Sequence, residues 1–248
     1  MNLRRIGIAA LLLSFWAISA MTMGIGAVQA QDSTPASDEA FPVNIRFLNA
    51  MTSLDKVDVY INGDESDQRV VEGLEYGTTS EAFTGTAPVT AVVVKQNVTG
   101  FDRYIYNTIV PTEAGKEYLV VITDLILIPT EFDQSQTGDD AARARLINAA
   151  PQSPSLDIYA SESGSGVSLG DLVPVITGIS FAGVTDGGEL AAGSYDIVAA
   201  EAGTTNTAFE TPAVALDAGQ VYTLVVIGTP GSTEQPLSIV SVSVPATA

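Results

Sequence analysis

The feature that most constrains this chain is that it repeats itself. Ile45-Arg46-Phe47-Leu48-Asn49-Ala50 corresponds to Ala144-Arg145-Leu146-Ile147-Asn148-Ala149, and Val57-Asp58-Val59-Tyr60 to Leu156-Asp157-Ile158-Tyr159 at the same spacing. Further on, Glu113-Ala114-Gly115-Lys116-Glu117-Tyr118 matches Asp217-Ala218-Gly219-Gln220-Val221-Tyr222, each followed by a Val/Ile/Leu-rich run. Three matches in the same order leave little room for a single large fold. They predict two similar units, residues 41–133 and 143–248, joined by a polar linker at 134–142. A unit of that size can bury a core of its own.

Within each copy the pattern has period two. Val57, Val59 and Ile61 face one way, with Asp58, Tyr60 and Asn62 opposite, which is the alternation of a half-buried strand. Further strands are expected at 43–49, 88–95, 103–110 and 117–128 in the first copy. In the second they are expected at 143–148, 194–200, 207–215, 221–228 and 237–244. Asn62-Gly63, Glu113-Ala114-Gly115 and Asp217-Ala218-Gly219 are turn signals between them. Leu119-Val120-Val121-Ile122 and Leu224-Val225-Val226-Ile227 do not alternate, which suits strands buried on both faces. The apolar fraction is 46%, mostly Val, Ile, Leu and Ala interrupted by 22 Gly and 12 Pro. No stretch after residue 30 carries a helical stripe. The expected fold is all-β: two tandem β-sandwiches of the immunoglobulin or transthyretin sort, following a signal peptide.

Residues 1–30 read as that signal. Arg4 and Arg5 give the positive start, Ile6 to Ala20 the apolar stretch, and Val28-Gln29-Ala30 the small residues at a cleavage site. The rival reading is an uncleaved anchor, because Ile6 to Val28 is long enough to span a bilayer. Residues 31–40 are a polar, Pro-containing leader. The expected location is secreted or cell-surface, with no membrane contact after cleavage.

Charge and composition exclude several functions. The formal net charge is −19, and loss of residues 1–30 leaves eight basic against 29 acidic residues. Phosphate backbones and anionic lipid repel such a chain, so nucleic acid is not an expected partner. There are no Cys and no His. That removes disulfides, thiolate metal sites, cysteine nucleophiles, Ser-His-Asp chemistry and the commonest zinc ligand. No cofactor and no metal are expected.

The residues resemble a known family. Arg145-Leu146-Ile147-Asn148-Ala149-Ala150-Pro151, then Ser155-Leu156-Asp157-Ile158-Tyr159, then Ala218-Gly219-Gln220-Val221-Tyr222-Thr223, look like the bacterial secreted domain of unknown function 4397, in two tandem copies across roughly 43–228. The first copy departs where Met51-Thr52 replaces Ala-Pro, but keeps Val57-Asp58-Val59-Tyr60-Ile61-Asn62-Gly63. The resemblance implies bacterial origin, export and a sandwich-like fold. It implies no activity and transfers no catalytic residue.

Candidate sites are few. Two roles fit the repeated Asp-x-Tyr: a ligand-contact pair, or an Asp held by the Arg of the preceding strand. The second is expected, pairing Arg46 with Asp58 and Arg145 with Asp157. Asp64, Glu65 and Asp67 crowd one loop, as calcium prefers, but the full calcium-loop spacing is missing and the second copy has Ser161-Glu162-Ser163 there. A solvated loop is expected. Tyr104 and Tyr106 should share a strand face near Phe101 and, with Tyr60, form the one speculative ligand surface. A carboxylate-pair hydrolase needs only Asp and Glu, but nothing in the sequence selects two. The chain therefore reads as an exported, non-catalytic structural or interaction module of adhesion type, its partner an extracellular protein or glycan. The alternatives are a soluble carbohydrate-binding module and, remotely, a carboxylate-dependent hydrolase.

Overall fold

The structure is a computed structural model, and it describes residues 42–62, 67–86, 89–98, 101–135 and 137–246. The expected signal peptide and the leader lie outside the described residues. Among the described residues the chain is all-β, with one short 3-10 turn at Leu169–Asp171. No described helix is long and apolar enough to cross a membrane.

Among the described residues the first repeat has the strands β1 (Pro42–Asn49), β2 (Lys56–Asn62), β3 (Asp67–Glu75), β4 (Phe83–Thr86), β5 (Val89–Val98), β6 (Phe101–Pro111), β7 (Glu117–Ile122) and β8 (Leu127–Glu131). The second has β9 (Ala141–Asn148), β10 (Leu156–Glu162), β11 (Ile176–Ile179), β12 (Gly188–Ala191), β13 (Gly193–Glu201), β14 (Thr207–Leu216), β15 (Gln220–Ile227) and β16 (Ser238–Pro245). Each repeat makes two four-stranded sheets with the same strand order, β4-β1-β7-β8 with β3-β2-β5-β6, and β12-β9-β15-β16 with β11-β10-β13-β14. β1 runs parallel to β7 and β9 parallel to β15, while the other pairs are antiparallel.

Period-two alternation places each core. Val57, Val59 and Ile61 of β2 meet Ile45 and Phe47 of β1 and Val120 and Ile122 of β7 inside the first sandwich. Leu156 and Ile158 meet Leu146, Leu224 and Val226 inside the second. The unbroken apolar runs fill a third layer. Leu48, Leu119, Val121 and Ile128 pack with Ile147, Val221, Val225 and Val242, so β7 and β15 are buried on both faces. Phe132, just before the linker, is seated in the same layer.

The expected strand at 117–128 is two strands. Thr123 turns the chain: its hydroxyl donates to the Ile126 carbonyl at 2.8 Å and accepts from the Leu125 and Ile126 amides. The sequence reading also missed β3, β4, β11 and β12, all of them edge strands.

We propose that residues 41–133 and 143–248 are separate folding units, because each has an interior core besides the shared layer. Expressed alone, residues 41–133 should keep a strand-rich circular dichroism spectrum. They should melt earlier than the whole chain and self-associate through the bared Leu48, Leu119 and Val121. Thermal melting and sedimentation measure both effects. A half-chain without a cooperative melt would mean that the repeats fold only together.

Candidate functional site

The outer face of sheet β3-β2-β5-β6 carries Tyr60 and Tyr104, with Lys95 between them. The Lys95 Nζ lies 4.0 Å from the Tyr60 ring centroid and 4.6 Å from that of Tyr104. Tyr104 is 58% exposed, yet Lys95 is only 4% exposed. A cation between two rings is attracted to both π faces, by about 0.5–2 kcal/mol per ring as water is excluded. Lys95 on the central strand β5 thus joins the rings of the two strands flanking it. Lys95 was missed in the sequence. Its signal was a single cation in the apolar run of β5, at the parity opposite the core residues Val92 and Val94.

Tyr106 does not join this surface. A register shift in the β5–β6 ladder pairs Lys95 with Tyr104 but Val94 with Tyr106. Tyr106 packs against the core, and its hydroxyl donates to the Thr123 carbonyl at 2.7 Å. The expectation that Tyr104 and Tyr106 share a face therefore fails, because one extra residue in a bulge reverses the parity.

In the second repeat the ladders place Tyr159, Ala200 and Thr207 where the first has Tyr60, Lys95 and Tyr104. Tyr159 and Ala200 are buried. The aromatic–cation stack belongs to the first repeat alone.

The expected Arg–Asp pairs are also corrected. β1 and β2 lie in different sheets, as do β9 and β10, so they are not hairpin partners. Arg46 Nε instead meets Glu117 Oε1 at 3.0 Å. Burial lowers the Arg145 pKa, opposed by Asp133, Glu131 and Asp186. The two Asp residues serve the backbone. Asp58 accepts from the Gly73 amide at 2.6 Å, and Asp157 from Gly178 at 2.7 Å and Gly203 at 2.8 Å. Gly73 and Gly178 have φ of 61° and 63°, the left-handed region that glycine enters at little cost. The repeated Asp is thus a brace for a kinked edge strand.

A polar cleft of about 690 Å³ opens between the repeats. The β1–β2 connection forms one wall, with Asp58 and Gln96, and residues 229–235 the other. Asp124 fixes the first wall. Its Oδ2 accepts from the Thr52 amide at 2.9 Å and hydroxyl at 2.8 Å, and its Oδ1 accepts from the Ser53 amide and hydroxyl. Partial burial pushes the Asp124 carboxyl up, but the bonds from Ser53 and Thr52 outweigh it and hold the group below its ordinary value. Met51-Thr52 is where this copy departs from the Ala-Pro of its partner. A carboxylate grip stands where the second copy has the stiff Pro151.

Asp124→Ala should therefore loosen this wall. Bonds to a charged group contribute about 1.5–3 kcal/mol when shielded, and solvent contact reduces that, so a total loss of about 1–2 kcal/mol is expected. Because the folded pKa lies below the ordinary 3.8, the stabilisation is present above that pH and is lost as pH falls through the folded value. The gap in melting temperature between wild type and Asp124→Ala should close in strong acid. A gap that persists there would remove the carboxylate as its cause.

The Asp64 and Glu65 of the calcium-candidate loop lie outside the described residues. Among the described residues, no group of three or more His, Cys, Asp or Glu is placed to hold a metal ion.

Residues 43–159, from β1 through β10, match a family described as Domain of unknown function (DUF4397). No curated protein matches the chain. Among solved structures, one similar chain is CBMbc (family CBM26) from Eubacterium rectale Amy13K, in complex with maltoheptaose. It is 13% identical, with 84% of this chain and 97% of that chain covered and a TM-score of 0.27. Another is a Bacteroides eggerthii protein proposed to act in cell adhesion, 9% identical, with 84% and 96% covered and a TM-score of 0.24. With TM-scores this low, neither likeness bears on what this chain binds.

Proposed function

We propose that this chain is an exported, non-catalytic interaction module of the extracellular or cell-envelope kind, and that it contacts its partner through the outer face of sheet β3-β2-β5-β6. The observation that carries this reading is the Tyr60–Lys95–Tyr104 stack. Lys95 stacks on the Tyr104 ring while more than half of that residue meets solvent. A large aromatic surface that is already ordered loses little entropy on binding. The features common to both repeats, by contrast, are cores, turns and backbone braces, so the stack is an addition to the scaffold.

Tyr104→Ala should abolish retention of the purified chain on the surface of its host cells. Its melting should stay within a few degrees of wild type, because so exposed a ring contributes little to the core. Unchanged retention would remove this face from the proposal. Multiple turnover of a polysaccharide, abolished by one Asp or Glu substitution, would overturn the non-catalytic reading. A second reading, a carbohydrate-binding module, is favoured by the polar cleft beside this face.

A further inference from the structure

We infer that the cleft between the two repeats is a binding site for a neutral, hydroxyl-rich oligosaccharide. This rests on the reading of the chain as a binding module and gives that module a ligand class and a place. The cleft is about 690 Å³, within the range of roughly 300–1,000 Å³ that holds small ligands. Both repeats line it, Ser53, Asp58 and Gln96 from the first and Ser232, Glu234 and Gln235 from the second. Hydroxyls and amides donate and accept, and carboxylates accept twice, which is the set that a chain of vicinal hydroxyls satisfies.

Charge narrows the class further. Asp55, Asp58 and Glu234 line the cleft, and its Lys56 is paired with Glu75 at 2.7 Å. Phosphates, sulfates and uronates are therefore repelled.

Both walls are fixed before any ligand arrives. Asp124 grips Thr52 and Ser53 on one side. On the other, the Thr229 amide donates to the Gln235 carbonyl at 2.9 Å and the Gln235 amide to the Ser232 hydroxyl at 3.1 Å. Gly228 anchors this loop: its φ is 103°, and a Cβ there would lie 2.2 Å from the Pro236 carbonyl oxygen. The loop is also longer than its counterpart in the first copy. β7 and β8 are joined by the short turn Thr123–Ile126, whereas β15 ends at Ile227 and β16 begins only at Ser238. The residues that lengthen the second connection are those that wall the cleft.

The test is amide chemical-shift mapping on the 15N-labelled chain, titrated separately with maltohexaose, cellohexaose, mannohexaose and chitohexaose at millimolar concentration. One of the four should shift residues 52–58, 96 and 229–235. Gln96→Ala and Gln235→Ala, one from each repeat, should each weaken it about tenfold. Val173→Ser, at an exposed residue of neither the cleft nor the stack, should leave that affinity unchanged, and an oligoglucuronate of similar length should not bind. No shift with any of the four overturns the cleft site. Shifts confined to Tyr60, Lys95 and Tyr104 also overturn it, while leaving the interaction module standing. Shifts at the cleft accompanied by cleavage of the sugar keep the site and overturn the non-catalytic reading.

Discussion

Val225→Asp should abolish the cooperative unfolding of the second repeat and leave only an earlier melt of the first. Val225 is fully buried in the layer between the repeats, paired with Ile147 on β9 and Val240 on β16. Its strand neighbours Ile147 and Val240 are apolar, and both belong to the same layer. A carboxylate there must either stay charged without a partner or take up a proton, and either costs several kcal/mol. Whole domains are stable by only about 5–15 kcal/mol. Thr223, two residues earlier on the same strand face, should respond with the opposite sign. It is 1% exposed, and its hydroxyl has no hydrogen-bond partner among the described residues. Thr223→Val removes that unpaired group and should raise the melting temperature by a few degrees, since about 1 kcal/mol shifts a chain of this size by roughly 2–4 °C. Calorimetry on the two variants separates a shared core from a loose contact. Val225→Asp melting like wild type would show that the repeats do not depend on this layer.

How far the sequence disclosed this arrangement follows from which signals are local. Leu224-Val225-Val226-Ile227 abandons alternation because Leu224 and Val226 serve one core while Val225 and Ile227 serve another. That is visible in four letters. β4, β11 and β12 are four residues each and contain glycine, so the period never establishes itself. Thr123 ends β7 through a side-chain turn that one polar residue in an apolar run does not announce. Tyr106 was misplaced because parity counting assumes an unbroken ladder, and a bulge breaks it. The cleft was not legible at all. Its walls, 52–58 and 229–235, are separated by most of the chain and meet only through the fold. The sequence marked the Asp of each repeat but not its partners, since backbone amides carry no letter of their own.

Asn148→Ala should cost about 2–5 kcal/mol. Asn148 is fully buried at the end of β9. Its Nδ2 donates to the Ile179 carbonyl at 3.2 Å and the Ser153 hydroxyl at 2.9 Å, and its Oδ1 accepts from the Ala150 amide at 3.1 Å. Asn49 repeats the arrangement in the first sandwich, donating to the Leu74 carbonyl and accepting from the Met51 amide, both at 3.0 Å. One planar amide thus joins the edge strand of one sheet to the turn leaving the other. Truncation strands a buried carbonyl and a buried N–H, each at about 1–3 kcal/mol. Asn148→Asp has nearly the same shape and keeps the acceptor, but it cannot donate to Ile179 and brings a charge into the interior. It should therefore be no better tolerated than Ala. Urea unfolding of Asn148→Ala, Asn148→Asp and Asn49→Ala measures the three costs. Similar losses at Asn49 and Asn148 would identify the Asn of the repeated motif as a fastener between sheets. A loss below about 0.5 kcal/mol at both would mean that water replaces the amide and would remove the fastener role.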